Sequence, residues 1–318
     1  MTVLPHTTDA LHRLSDAVDG FLRGERELNL SDPSAHMLVG GRLHALGVQI
    51  HAALLAGIQE EDIAAVVQPA RSACARSPFM RDENEWARGY PSDFRLLDHV
   101  LAQNVEAAPG TLGWHVETHL QGVAITHQLR NRVLHQTRLI GDTLTAQRGG
   151  PVSILLIASG TAPDLRRIPP NIVRPGDRFV LTDVDPDALE LAEQRLGPLL
   201  GATTTFSGNV FRAIPKIAEQ GPFDLVLVNG LYEYLNDRAA VRLTEAVLTR
   251  LVRPGGLFHF SSLTGGNPFR YALEYLMEWQ VIERDEHAVR ALLPGYDVSV
   301  GHDQTGLALL THVRTRRG

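Results

Sequence analysis

Residues 152–165, VSILLIASGTAPDL, and residues 179–189, FVLTDVDPDAL, decide how this chain is read. In the first, the apolar run Val152–Ala158 breaks into the small residues Ser159-Gly160-Thr161-Ala162. A short apolar run without alternation suits a strand covered on both faces. The second stretch repeats the design, with a strand at Phe179–Asp183 and Asp185-Pro186 poised to open a helix. Working outward, further strands are predicted at Thr203–Phe206, Phe223–Val228 and Leu257–Ser261. Amphipathic helices fall between them at Ala188–Leu196, Phe211–Ala218 and Ala239–Leu251. Such alternation predicts an α/β fold, a mostly parallel sheet with helices on both faces. The tail adds helices near Tyr271–Met277 and Glu286–Leu293. Strands at Tyr296–Val300 and Leu307–Val313 follow, expected to pair antiparallel at the sheet edge.

Upstream, the pattern is helical throughout. Thr8–Leu22, Leu38–Leu55, Gln59–Ala75, Pro91–Leu101 and a long stretch from Trp114 to Ala146 carry helical spacing, and Gly149-Gly150 ends the series. Two domains are therefore expected: an all-helical one over 1–148 and a sheet domain over 149–318. A chain of 318 residues has room for both.

Composition narrows the field. A formal charge of −6 gives no cationic field for nucleic acid. No apolar run approaches the roughly 20 residues of a membrane span, and the N-terminus lacks signal-peptide features, so a cytoplasmic protein is expected. The single cysteine, Cys74, excludes an intrachain disulfide and suits a small apolar niche. Lys216 is the only lysine, so neither a Gly-Lys-Ser/Thr phosphate loop nor a Tyr-x-x-x-Lys pair exists.

Ligands of open parallel sheets bind outside the carboxyl ends of the strands. The first strand ends at Ala158-Ser159-Gly160, where small residues let a ligand approach the backbone. The second ends at Asp183-Val184, with a carboxylate able to accept from both hydroxyls of a ribose. The third leads into Gly208-Asn209-Val210, and the fourth into Asn229-Gly230. One glycine in the first turn falls short of the G-x-G-x-x-G that a dinucleotide wants. S-adenosylmethionine, which has a ribose and no pyrophosphate, fits better. Asp183 would hold its sugar, Asn209 its adenine edge, and Asn229 and Gly230 would lie near the sulfonium. Asn209 equally suits a helix N-cap. Tyr232, Glu233 and Tyr234 are the local candidates for catalytic and acceptor contact, with core packing as the plain alternative.

Residues 152–263 resemble class I SAM-dependent methyltransferases, on LLIASGTAPDL, FVLTDVDPDAL, PFDLVLVNGLYEYL and LVRPGGLFHFSSL. The resemblance implies a Rossmann-like domain and a methyl-transfer activity. More narrowly, the chain resembles a bacterial family that includes 3-hydroxypalmitic acid methyl ester synthases. That likeness rests on Arg88-Gly89-Tyr90-Pro91-Ser92-Asp93, Arg130-Asn131-Arg132, Gly230–Leu235 (with Glu233 where Asp is expected), Asn267-Pro268-Phe269-Arg270 and Trp279. Arg88 and Tyr90 are candidates for a lid over the cofactor, with a loop joining helices as the plain alternative, and Asn267 and Arg270, placed after the fifth strand, are candidates for acceptor contact.

The histidines His115 and His119 stand one turn apart, but HVETH is no zinc-protease motif, and no metal is expected. A small-molecule acceptor is expected, at a carboxyl or hydroxyl oxygen. The absence of a clear base constellation favours a carboxylate, which is ionised without help. The helical half is expected to serve as lid, acceptor pocket, or face for a homodimer or partner protein. Two rivals stay open: a methyltransferase fold redeployed for cyclisation or elimination, and a non-catalytic scaffold.

Overall fold

Four apolar runs of the second half become adjacent strands because each carries buried side chains for both faces, and a fifth, polar strand borders them. The computed structural model describes residues 5–85, 89, 93–146 and 149–316. Its sheet has seven strands: β1 (Ser153–Ile157), β2 (Arg178–Asp183), β3 (Thr203–Ser207), β4 (Phe223–Val228), β5 (Val252–Leu263), β6 (Val298–His302) and β7 (Ala308–Arg314). Their order is β3-β2-β1-β4-β5-β7-β6, parallel through β5 and antiparallel for β7 and β6. The chain turns back on itself beyond β1, so the strand order reverses between β1 and β4. That is the place where such sheets open a crevice.

Twelve α-helices accompany these strands among the described residues. The first seven are α1 (Pro5–Glu27), α2 (Ala35–Leu55), α3 (Glu60–Cys74), α4 (Pro78–Glu85), α5 (Phe94–Ala102), α6 (Leu112–Gly122) and α7 (Ala124–Thr145). Within and after the sheet come α8 (Pro186–Leu196), α9 (Val210–Glu219), α10 (Asp237–Ala246), α11 (Arg270–Leu276) and α12 (Glu286–Ala291). Strand side chains alternate between two cores, as the pleat requires. Ile154, Leu156, Leu181 and Leu227 join Leu144 of α7 and Leu189 of α8 on one face. Leu155, Ile157, Val180 and Val228 join Ile217 of α9 and Leu243 of α10 on the other. Each such side chain, fully buried, contributes about 1.5–3 kcal/mol.

The chain divides into two compact units, one of residues 1–127 with 266–280 and one of 128–265 with 281–318. The sequence places the division at 148. In the structure α7 runs across the boundary, and the segment after β5 belongs with the helical unit. Inside that unit, α11 packs on α2 and α3. Tyr271 stacks on His51 with ring centroids 4.3 Å apart, and Arg71 pairs with Glu278 at 2.5 Å. By length and composition α2 is long and apolar enough to cross a membrane, which the sequence reading does not anticipate. In the fold, Val39, Leu43, Leu46 and Ile50 line its buried side, as in a core helix.

One expected helix is two. The pattern from Trp114 to Ala146 breaks at Val123, whose backbone is extended. Thr126 donates its hydroxyl to the carbonyl of Leu120 at 2.7 Å, satisfying the end of α6. The histidine pair of α6 is structural. His115 is buried with Nε2 2.8 Å from the Leu30 carbonyl oxygen. The His119 ring occupies the space a side chain on Gly40 would need, 2.1 Å from that Cβ position.

Candidate functional site

Three turns meet at the carboxyl rim of the sheet because backbone bonds continue the ladder past the strand ends. The Ser159 N–H donates to Thr182 O at 3.1 Å, Gly208 N–H to Asp183 O at 2.8 Å, and Asn229 N–H to Ile157 O at 2.9 Å. The turn after β1 has an unusual backbone. Ala158, Gly160 and Ala162 all take left-handed φ values, of 52°, 52° and 50°. Glycine accepts that conformation freely, whereas each alanine pays roughly 1–2 kcal/mol of strain. Strain of this kind gathers where a ligand dictates the backbone.

Asp183 closes the rim. Its Oδ2 accepts from the Gly160 N–H at 2.8 Å and its Oδ1 from the Asp185 N–H at 3.0 Å. A carboxylate has about four lone-pair sites, so it retains capacity to accept from a hydroxyl. Burial raises its pKa above the usual value, opposed by these backbone bonds. Asp185, as expected, caps α8 through the Asp187 N–H.

Behind the first turn lies Asp164, fully buried, which the sequence reading passes over as part of a motif. Asn229 Nδ2 donates to its Oδ2 at 3.0 Å, locking the end of β4 to the β1 turn. Burial pushes its carboxyl up to about 6. Three polar atoms around this crevice are buried without a partner: Ser159 Oγ, Asn229 Oδ1 and Glu233 Oε2. Buried polar atoms are rarely left unpaired unless a ligand or water completes them. Together with the free lone pairs of Asp183, they suit a ligand bearing hydroxyls and an amino-acid head. The residues present therefore fit an adenosyl donor of the kind expected.

Other expected site residues have varied surroundings. Tyr232 is corrected from catalytic to core. It is wholly buried, stacked on Phe260 with ring centroids 3.9 Å apart, and its hydroxyl shares a 2.6 Å hydrogen bond with Thr244. Burial drives its phenol well above the usual range, so it is no base. Glu233 is buried too, and its Oε1 receives Arg132 Nη1 at 2.9 Å. Tyr234 and Val184 are exposed. Asn209 caps α9 by accepting the Phe211 N–H at 3.0 Å, its plain alternative. Val210 packs against the sheet core, and Gly208 turns with φ of 118°. Gly230 turns with φ of 55°. Asn267 and Arg270 belong to the helical unit. There Asn267 accepts the Phe269 N–H at 3.0 Å, and Arg270 Nε donates to Glu274 at 2.8 Å. Arg88 and Tyr90 lie outside the described residues.

The helical unit holds an apolar pocket of its own. Leu43, Gly47, Val116, His119, Phe269 and Leu276 are among its lining residues. Phe269 and Leu276 come from the segment that leaves the sheet after β5. Sequence periodicity cannot reveal this pocket, because its walls come from distant parts of the chain.

Residues 155–258 match a family model described as a methyltransferase domain, which covers less than half of the chain. Such a domain takes its methyl group from S-adenosylmethionine. Among curated protein sequences, none matches the chain. Among solved structures, a possible exported protein from Bordetella parapertussis is similar over 99% of this chain and 100% of its own, at 16% identity and a TM-score of 0.55. An O-methyltransferase of tomaymycin synthesis from Streptomyces achromogenes, solved with SAM, aligns over 59% of this chain and 79% of its own, at 16% identity and a TM-score of 0.40. Magnesium protoporphyrin IX methyltransferase from Synechocystis, solved with SAH, aligns over 60% and 87%, at 10% identity and 0.45. The fold is thus the Rossmann-like methyltransferase fold, preceded by a helical region.

Proposed function

We propose that the protein is a SAM-dependent methyltransferase acting on an oxygen of a small, largely apolar acceptor. The observation that carries this reading is the bridge from Asp183 to the Gly160 amide beneath a turn strained at Ala158 and Ala162. The donor supplies an electrophilic methyl on a sulfonium, so transfer is an in-line displacement governed by positioning. Asp183 receives the ribose hydroxyls on its remaining lone pairs. The β1 turn presents backbone N–H groups, with Ser159 Oγ beside them, to the amino-acid end. Asn229, held by Asp164, sets the end of β4 against which the reacting groups lie.

The narrower likeness to fatty-acid methyl ester synthases supports an acceptor with a hydrocarbon body. A carboxylate is the acceptor group that suits this chain best. With a pKa near 4 it is ionised at neutral pH and asks nothing of a base. The buried Tyr232 and the paired Glu233 offer none. Attack forms the oxygen–carbon bond as the carbon–sulfur bond breaks, leaving a neutral ester and a neutral thioether.

The test is calorimetric titration with S-adenosylhomocysteine, followed by incubation with methyl-labelled SAM and a panel of medium- and long-chain hydroxy acids. Saturable one-to-one binding and a labelled, base-labile ester are expected. Absence of binding overturns the donor assignment. Binding without label transfer to any acid or alcohol would instead favour the redeployed, non-methylating enzyme.

A further inference from the structure

Three elements of the sheet unit each bring one histidine to a single spot. They are His135 on α7, His259 on β5 and His312 on β7, and the nitrogens they can offer all lie within 4.8 Å of one another. His259 and His312 are direct partners in the antiparallel β5–β7 register, which places both rings on one face of the sheet. Their ring centroids are 4.7 Å apart, and His135 stands 5.0 and 5.1 Å from the two.

One of the three rings is oriented by the backbone. His259 Nδ1 lies 3.0 Å from the Thr311 carbonyl oxygen, which can only accept, so Nδ1 carries the hydrogen. With the hydrogen on Nδ1, Nε2 is the ring nitrogen that carries the lone pair. Holding one ring N–H on a backbone carbonyl is how proteins orient a metal-binding histidine. His135 Nε2 and His312 Nε2 share a hydrogen bond at 3.0 Å, a proton that a bound ion would replace. Two imidazole nitrogens on one tetrahedral zinc stand about 3.3 Å apart.

A cluster of three imidazoles is an expensive way to fill a sheet face whose other inward residues are mostly apolar. The charged groups around it do not account for it. Arg132 is engaged by Glu233, Arg138 and Asp142 act oppositely on His135, and Arg314 borders His312.

We propose that His135, His259 and His312 form a binding site for one divalent transition-metal ion of the zinc class. Neutral imidazoles suit zinc, copper, nickel and iron ions, and three of them leave a fourth position for water. The ion clips α7 to β5 and β7. The inference does not depend on the methyl-transfer reading, since it concerns a cluster outside the donor crevice.

The test strips the full-length protein with a chelator, removes the chelator, and titrates with Zn²⁺ and separately with Co²⁺. One ion per chain is expected, with the intense visible absorption of tetrahedral Co²⁺ and a rise in melting temperature as the ion binds the folded state. His135→Gln and His312→Gln, both half-exposed positions, are expected to weaken uptake at least tenfold and abolish the Co²⁺ spectrum. His302→Gln, an exposed control, is expected to leave both unchanged. Failure of the wild-type chain to take up one equivalent overturns the site, whatever the variants do. So does uptake that the two variants leave intact, which would assign it to other histidines.

Discussion

Arg132 and Glu233, 101 residues apart, meet in a buried ion pair at 2.9 Å, with side chains 6% and 3% exposed. The pair lies directly under the turn that follows β4. A side chain added at Gly230 would begin 3.3 Å from Arg132 Nη2 and 3.9 Å from Glu233 Oε1. The pair therefore ties α7 to the rim of the crevice, one helical turn before the His135 that reaches the histidine cluster. Two separate devices, one ionic and one of imidazoles, fix the same helix against the sheet.

Removing one member of this pair strands the other in a low-dielectric interior. Glu233→Ala or Arg132→Ala is expected to lower unfolding free energy by about 3–5 kcal/mol, read from urea midpoints. The double replacement Arg132→Met with Glu233→Leu removes both charges and is expected to recover most of that loss. A double variant as unstable as the singles would show that the two side chains act independently.

Tyr232 separates a core role from a catalytic one. Tyr232→Phe keeps the stacking on Phe260 and loses only the hydrogen bond to Thr244. A cost of about 1 kcal/mol in stability is expected, with kcat and KM unchanged. A drop in kcat of a hundredfold or more, with stability intact, would return the hydroxyl to the chemistry.

Strands β1, β2 and β4 were legible because their apolar runs are short, unalternating and separated by turn residues; β4 follows its predicted limits and β2 begins one residue early. Asp183 was legible for the same reason, since an acid at a strand end has one place to go. Tyr232 was not. In Tyr-Glu-Tyr the side chains take different surroundings inside one short turn, and no period distinguishes the buried ring from the exposed one. The excursion of residues 266–280 into the helical unit leaves no local trace, because what buries it is α2 and α3, far back in the chain. The histidines show the limit most directly. Spacing on α6 draws attention to His115 and His119, which serve packing. The cluster that converges is assembled by antiparallel register and a helix crossing, neither of which is written in residue order.

Asp183→Ala removes the acceptor of the Gly160 amide and the lone pairs left for a sugar. Affinity for S-adenosylhomocysteine is expected to fall at least tenfold, about 1.4 kcal/mol, by calorimetry. Asp183→Asn retains one carbonyl acceptor and is expected to fall between the two. If both variants bind as tightly as the parent, the crevice at the end of β2 does not hold the donor.

Asp164 predicts a pH dependence whose sign is the reverse of a salt-bridged acid. Burial raises its folded pKa from 3.8 to about 6, so between those values the folded chain holds a proton that the unfolded chain has released. Stability contributed by this group is complete below about pH 4, falls as pH rises, and is lost once pH passes about 6. The span corresponds to a loss on the order of 3 kcal/mol. Asp164→Asn cannot ionise, and it still presents a carbonyl oxygen to the Leu165 N–H. Its other partner adjusts without loss, since Asn229 can turn its unpartnered Oδ1 toward the new amide. Relative to the parent, the variant is expected to gain stability steadily from pH 4 to pH 6 and then hold a constant advantage. Urea denaturation of both proteins at pH 4.5, 5.5 and 7 reads this directly, because titrations elsewhere cancel in the difference. A difference that does not change with pH would mean that Asp164 is ionised throughout, and that the Asn229 amide and the Leu165 N–H outweigh its burial.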